Sequence, residues 1–170
     1  LRPEQVEANE RQAEDICTQN KPSWHVGDSR DIHQICDGFE ADMIFSCPPY
    51  ADLEVYSDDE RDISTLSYED FVAAYKEIIV KACTLLKDNS FACFVVGEVR
   101  DKKGIYRNFV GDTINAFIEA GLDYYNEAIL ITAIGTLAIR CGRPFETSRK
   151  LGKTHQNVLV FVKGDPKKAT

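Results

Sequence analysis

Apolar positions in "SYEDFVAAYKEIIVKACTLLK" (67–87) recur at helical spacing. Phe71, Ala74, Ile78, Ala82 and Leu85 share one stripe, which Ile79, Cys83 and Leu86 widen. With Ser67 and Asp70 placed as in a capping box, this predicts a mostly buried helix. The same period predicts a helix over 2–19, where Pro3 suits the first turn and Val6, Ala13 and Ile16 fall near one stripe. Another is predicted over 109–122, ended by Gly121. Apolar runs without alternation predict buried strands at "DMIFS" (42–46) and "SFACFVVGEV" (90–99). Further strands are expected at "YYNEAILITAI" (124–134) and "NVLVFVKG" (157–164). "SWHVGDS" (23–29) reads as a short strand entering a turn at Gly27 and Asp28, and 30–38 as a short helix or turn closed by Gly38.

Strands alternating with helices predict one α/β domain over 1–170, with a largely parallel sheet and helices on both faces. No helix is expected between the last two strands, so an antiparallel hairpin at one edge is predicted. Between them, 135–156 reads as a long loop containing glycines and arginines, and loops of such length are usually functional or mobile.

Composition fits a globular chain: 44% of the 170 residues are hydrophobic and 28% charged. No apolar run approaches the ~20 residues of a membrane span, and nothing at the start resembles a signal peptide. The six cysteines (17, 36, 47, 83, 93, 141) form no C-x-x-C pair and no metal-type spacing. Buried free thiols are expected, which points to a reducing, cytoplasmic setting. His25 and His33 lack metal-like partners, so no metal is expected. The net charge of −8 argues against indiscriminate binding to nucleic acid. The charge is unevenly spread, however. Residues 51–62 hold six acids against Arg61, whereas 140–168 hold eight basic residues against Glu146 and Asp165. Either run could be a solvated face, and the basic one could meet phosphates.

Chemistry concentrates in "DMIFSCPPY" (42–50). Pro48 and Pro49 must end the strand, because neither can donate to a ladder, and each biases the residue before it toward extended geometry. A stiff polar-to-aromatic corner at a strand's carboxyl end is where open α/β sheets keep their sites.

These residues carry a resemblance over nearly the whole chain. The sequence resembles the catalytic domain of S-adenosylmethionine-dependent DNA methyltransferases that modify an exocyclic base amine, of the phage and bacterial modification type. "LRPEQVEANERQA" resembles the helix after that family's second strand. "IFSCPPY" resembles its catalytic motif, [D/N/S]-P-P-[Y/F/W], and "KLGKTHQNVLVFVKG" its closing strand. The resemblance implies a Rossmann-like methyltransferase sheet and methyl transfer from S-adenosylmethionine to adenine or cytosine in DNA. It implies that Pro48 supplies a carbonyl acceptor to the amine, that Pro49 stiffens the turn and that Tyr50 stacks on a base swung out of the duplex. Asp28 would accept from the cofactor's adenine amine, with Ser29 and Ser46 as further cofactor contacts. A plain Gly-Asp turn is the alternative for Asp28. Arg143, Arg149, Lys150 and Lys153 would face DNA phosphates from the 135–156 segment.

Two departures alter the picture. Cys47 stands where the family has Asp, Asn or Ser, and a thiol is a weak acceptor. Part of its role would therefore pass to Ser46, and neither adenine nor cytosine is singled out. The family's Gly-rich cofactor turn is missing as well, since no G-x-G occurs. The sheet is accordingly expected to lack its first two strands, leaving an edge that would favour pairing with another chain as a homo-oligomer. Methylation of an RNA or protein amide nitrogen, or a non-catalytic DNA-associated remnant, are the alternative functions. Glu98 and Arg100 could face the cleft or form a surface ion pair, and His155 reads as a hydrogen-bonded strand-end residue.

Overall fold

In the computed structural model, which describes residues 3–16, 19–53 and 55–169, the final strand lies inside the sheet rather than at its rim. The elements are α1 (Pro3–Ile16), α2 (Ile32–Ile35), β1 (Ala41–Ser46), α3 (Tyr68–Leu85), β2 (Leu86–Val96), α4 (Phe109–Glu119), β3 (Asp123–Ile131), α5 (Leu137–Ser148) and β4 (His155–Lys163). Strand order is β1-β2-β4-β3. β1 pairs parallel with β2, and β4 runs antiparallel to both β2 and β3. Three strands therefore point one way and β4 alone is reversed, so the sheet is mixed: β1 and β2 form its parallel pair, and the antiparallel pairing expected only at an edge runs from β2 through β4 to β3.

α3 begins where its sequence says it should. Ser67 Oγ accepts from Asp70 N at 3.2 Å and donates to Asp70 Oδ2 at 2.7 Å. Its apolar stripe buries Phe71, Tyr75, Ile79 and Cys83 in the same core as Phe109, Ala116 and Phe117 of α4. The sheet contributes Ala92, Phe94 and Val96 from β2 with Leu159 and Phe161 from β4. These alternate along their strands and so share one face. Phe117 stacks on Phe161 with ring centroids 4.1 Å apart and meets Phe94 edge-on at 4.8 Å. Each such buried ring contributes ~1.5–3 kcal/mol by leaving water.

Several expectations are corrected. The helices of this core, α3 and α4, lie on one face of the sheet rather than both. The strand expected at 23–29 does not form, because among the described residues no strand lies beside it to complete a ladder. β1 is covered on one face only: Ile44 packs on the core, while Met43 and Phe45 are 55% and 63% exposed. The long loop expected at 135–156 contains α5, whose period is obscured by Gly142 and Pro144. Cys83 and Cys93 are buried free thiols as expected, but Cys36 and Cys141 are half-buried and Cys47 is exposed. Arg2, Cys17 and Thr18 of the expected first helix, and Glu54 of the acidic run, lie outside the described residues. Among the described residues no helix is long and apolar enough to cross a membrane.

Candidate active site

Ser46 ends β1 opposite Phe94 of β2, and the chain then turns out of the sheet at Pro48 and Pro49. Both prolines lack an N–H, so the corner gives up no ladder donor by leaving. Directly after Tyr50, Ala51 is buried and adopts φ +52°, a left-handed conformation that alanine rarely takes. The strain sits beside the aromatic ring of the motif, where strained backbone is often found in functional sites.

Tyr50 is half-buried and held at three points. Its hydroxyl accepts from Gln156 Nε2 at 2.5 Å and donates to Val95 O at 3.4 Å. Its ring meets Phe109 edge-on at 5.8 Å and 72°. Burial pushes the phenol above its ordinary pKa, opposed in part by the hydrogen bond from Gln156, so the hydroxyl stays neutral at physiological pH.

Two cavities meet at this corner. The larger, about 470 Å³, is bounded by Asp28 and Ser29, by the Ser46–Pro49 corner and by an apolar wall that includes Ile78, Ile79 and Ala82 of α3. The smaller, about 210 Å³, is bounded by Cys47, Pro48, Tyr50, Leu53, Tyr56 and Gln156. Cys47, Pro48 and Tyr56 border both. The structure thus brings Asp28, Ser29, Ser46, Cys47, Pro48, Pro49 and Tyr50 to one pair of adjoining hollows. No described residue donates a hydrogen bond to the Pro48 carbonyl.

Asp28 is less available than its position suggests. Arg30 Nη2 donates to Asp28 Oδ2 at 2.6 Å, Arg30 Nε to both carboxylate oxygens at 3.1 Å, and Arg30 N to Oδ1 at 2.9 Å. This last bond caps the short turn Ser29–Asp31, so the plain turn reading of Asp28 also holds. The Arg30 hydrogen bonds hold the carboxyl below its ordinary range despite the opposing effect of burial.

The other basic and acidic candidates divide. Glu98 accepts from Phe109 N and Val110 N, each at 3.2 Å, and so caps α4 instead of facing a ligand. Arg100 donates to Gly104 O at 2.7 Å and stacks over Tyr106 rather than pairing with Glu98. Arg143 lies exposed on α5, Arg149 caps that helix, and Lys150 and Lys153 follow it toward β4. The acidic run is partly structural: Asp62 accepts from Ser57 Oγ, Ser64 N and Ser64 Oγ, and Asp59 binds Arg61. Sequence reasoning missed Gln156, although it lies in the closing-strand motif, and Tyr56, which the surrounding acids made look like solvated loop.

Comparison with solved structures supports the fold. At 20% identity the chain superposes on a candidate DNA modification methylase from Thermus thermophilus with a TM-score of 0.58, over 83% of this chain and 52% of that one. The same protein complexed with S-adenosyl-L-methionine gives 0.57 at 20% identity, over 83% and 55%. The PvuII DNA methyltransferase, cytosine-N4-specific, gives 0.54 at 15% identity, over 81% and 47%. The fold is therefore the Rossmann-like α/β arrangement of methyltransferases, and the chain spans about half the length of these neighbours. No family model matches the chain, and no curated protein does.

Proposed function

We propose that the chain carries the target-amine end of an S-adenosylmethionine-dependent methyltransferase acting on an exocyclic amine of adenine or cytosine in DNA. One observation carries this reading: a hollow of ligand size and an aromatic-walled hollow meet at Cys47 and Pro48. The solved neighbours, one of them holding the cofactor, support the same class.

The larger hollow suits the cofactor, with the α3 aliphatic wall against its apolar surface and the Ser29 and Ser46 hydroxyls for its polar groups. When bound, S-adenosylmethionine supplies an electrophilic methyl on a sulfonium. Tyr50 offers a ring on which a nucleobase can stack, worth ~1–3 kcal/mol, and Tyr56 bounds the same hollow. The Pro48 carbonyl accepts one amine hydrogen, which turns the nitrogen lone pair out of conjugation and toward the larger hollow. Because the two prolines fix that oxygen beforehand, little reorganisation is needed during reaction. Cys47 offers only a weak second acceptor, so Ser46 shares the task. Arg143, Arg149, Lys150 and Lys153 would meet phosphates beside the corner.

The test is transfer of tritiated methyl to duplex DNA, followed by digestion and identification of the modified nucleoside. N6-methyladenine or N4-methylcytosine, lost in Tyr50→Ala, is the expected result. Label recovered only on RNA or on a protein amide would move the substrate class. A second reading, a DNA-associated module that does not transfer methyl, draws on the Arg30 guanidinium that already fills Asp28. Calorimetry with S-adenosylmethionine separates the two, since the module would give no binding heat.

A further inference from the structure

We propose that the turn at 100–107 joins the segment at 149–153 in one phosphate-binding rim for duplex DNA, with Lys102 and Lys103 as contacts. This rests on the DNA reading above and extends it to residues outside the 135–156 segment. Together the two segments carry seven basic residues against the single carboxylate of Asp101, in a chain whose net charge is −8.

The turn is held rigidly by its own polar groups. Asp101 Oδ1 accepts from Lys103 N at 2.9 Å and Ile105 N at 2.8 Å, while Arg100 spans the loop to Gly104 O and lies 3.8 Å from the Tyr106 ring centroid. The acid is thus occupied by backbone, and the exposed Lys102 and Lys103 form no ion pair with a described residue.

Gly104 links the two segments. It is buried at φ +87°, and a Cβ built there would stand 2.5 Å from both Cε and Nζ of Lys150. The Lys150 ammonium therefore lies against the turn that carries Lys102 and Lys103, and the positive φ at Gly104 is what calls for glycine there. Short stretches of chain join both segments to the aromatic hollow: Gln156, which bounds it, follows Lys153 by three positions, and Gly97 precedes Arg100 by three. A Cβ at Gly97, where β2 leaves the sheet, would lie 3.9 Å from Tyr50 Oη and from Gln156 Cγ. Cations carried on two segments that lead into an aromatic hollow fit a polyanion that must present a base there, whereas the acidic remainder of the surface repels it.

The experiment measures affinity for a fluorescein-labelled, mixed-sequence DNA duplex across a salt series, without S-adenosylmethionine. Lys102→Gln/Lys103→Gln is expected to reduce the slope of log affinity against log salt by ~1–2, at ~0.9 for each phosphate no longer neutralised. Lys167→Gln/Lys168→Gln, the same charge change beyond the far end of β4, is expected to leave the slope unchanged. Lys150→Gln provides an independent variant, and the circular dichroism of each protein guards against misfolding. An unaltered slope in the first variant and in Lys150→Gln, or an equal fall in the Lys167/Lys168 control, overturns the rim. Methyl transfer is assayed separately. A chain that shows the expected slopes but transfers no methyl upholds the rim and ends the catalytic reading, and the reverse result upholds only the latter.

Discussion

Gln156 Nε2 donates to Tyr50 Oη at 2.5 Å across 106 positions of sequence, tying the proline corner to the first residues of β4. The tyrosine hydroxyl in turn donates a hydrogen bond to Val95 O, so the ring is held from two neighbouring strands. If Gln156 acts by positioning Tyr50, Gln156→Leu and Tyr50→Phe should each lower kcat roughly tenfold, the scale of one hydrogen bond. The double variant should fall no further than either single one. Additive losses would mean that Gln156 contacts substrate on its own account. Tyr50→Ala should cost more than Tyr50→Phe, because it removes the stacking surface as well.

The Asp28–Arg30 pair sets a pH dependence. Its carboxyl is held below the ordinary aspartate pKa, chiefly by the Arg30 side chain. A depressed folded value means the contribution to stability is full above the unfolded pKa of ~3.9 and is lost as pH falls through the folded value. Asp28→Asn should therefore melt below the wild type near neutrality, and the two melting curves should converge as the solution is taken below about pH 4. A constant difference down to strong acid would show that the pair is not what holds this turn.

Thiol chemistry separates the cysteines by place. Burial pushes Cys83 up to about 12 and also raises Cys93, whereas Cys47 is exposed at the junction of the two hollows. A disulfide reagent applied to the native chain should therefore label Cys47 ahead of Cys83 and Cys93, since the thiolate is the reacting species. Labelling should abolish methyl transfer by filling the junction, and Cys47→Ser should transfer methyl while resisting the reagent. Equal labelling of Cys83 in the native chain would contradict the packing of α3.

The corner and the buried helix stripe were legible in the sequence because both are local: prolines act on their neighbours, and a helix face repeats every few residues. What escaped depended on distant partners. Nothing near 23–29 tells a strand that no ladder awaits it, and nothing in 42–46 shows that Met43 and Phe45 face outward. α5 was hidden by Gly142 and Pro144, residues that usually interrupt a helix and here lie within one. The availability of Asp28 turned on a side chain two positions away, and Glu98, read as facing the cleft or forming a surface ion pair, spends its charge on the backbone of α4.

That use of Glu98 makes a final expectation. Asn108 at the start of α4 is left-handed and makes no capping hydrogen bond from its side chain, so Glu98 takes over the exposed N–H groups of Phe109 and Val110. A carboxylate at a helix N-terminus also complements the helix dipole. Glu98→Ala should lower stability by about 0.5–2 kcal/mol, the range for loss of a cap, with a smaller loss for Glu98→Gln. Phe109 is the ring against which Tyr50 rests, so loosening this turn should also weaken binding of the target base. The expected pattern is a raised KM for DNA with kcat less affected, alongside a urea midpoint that shifts at constant m. If Glu98→Ala removed all transfer while the urea midpoint stayed in place, Glu98 would be part of the chemistry and not a cap.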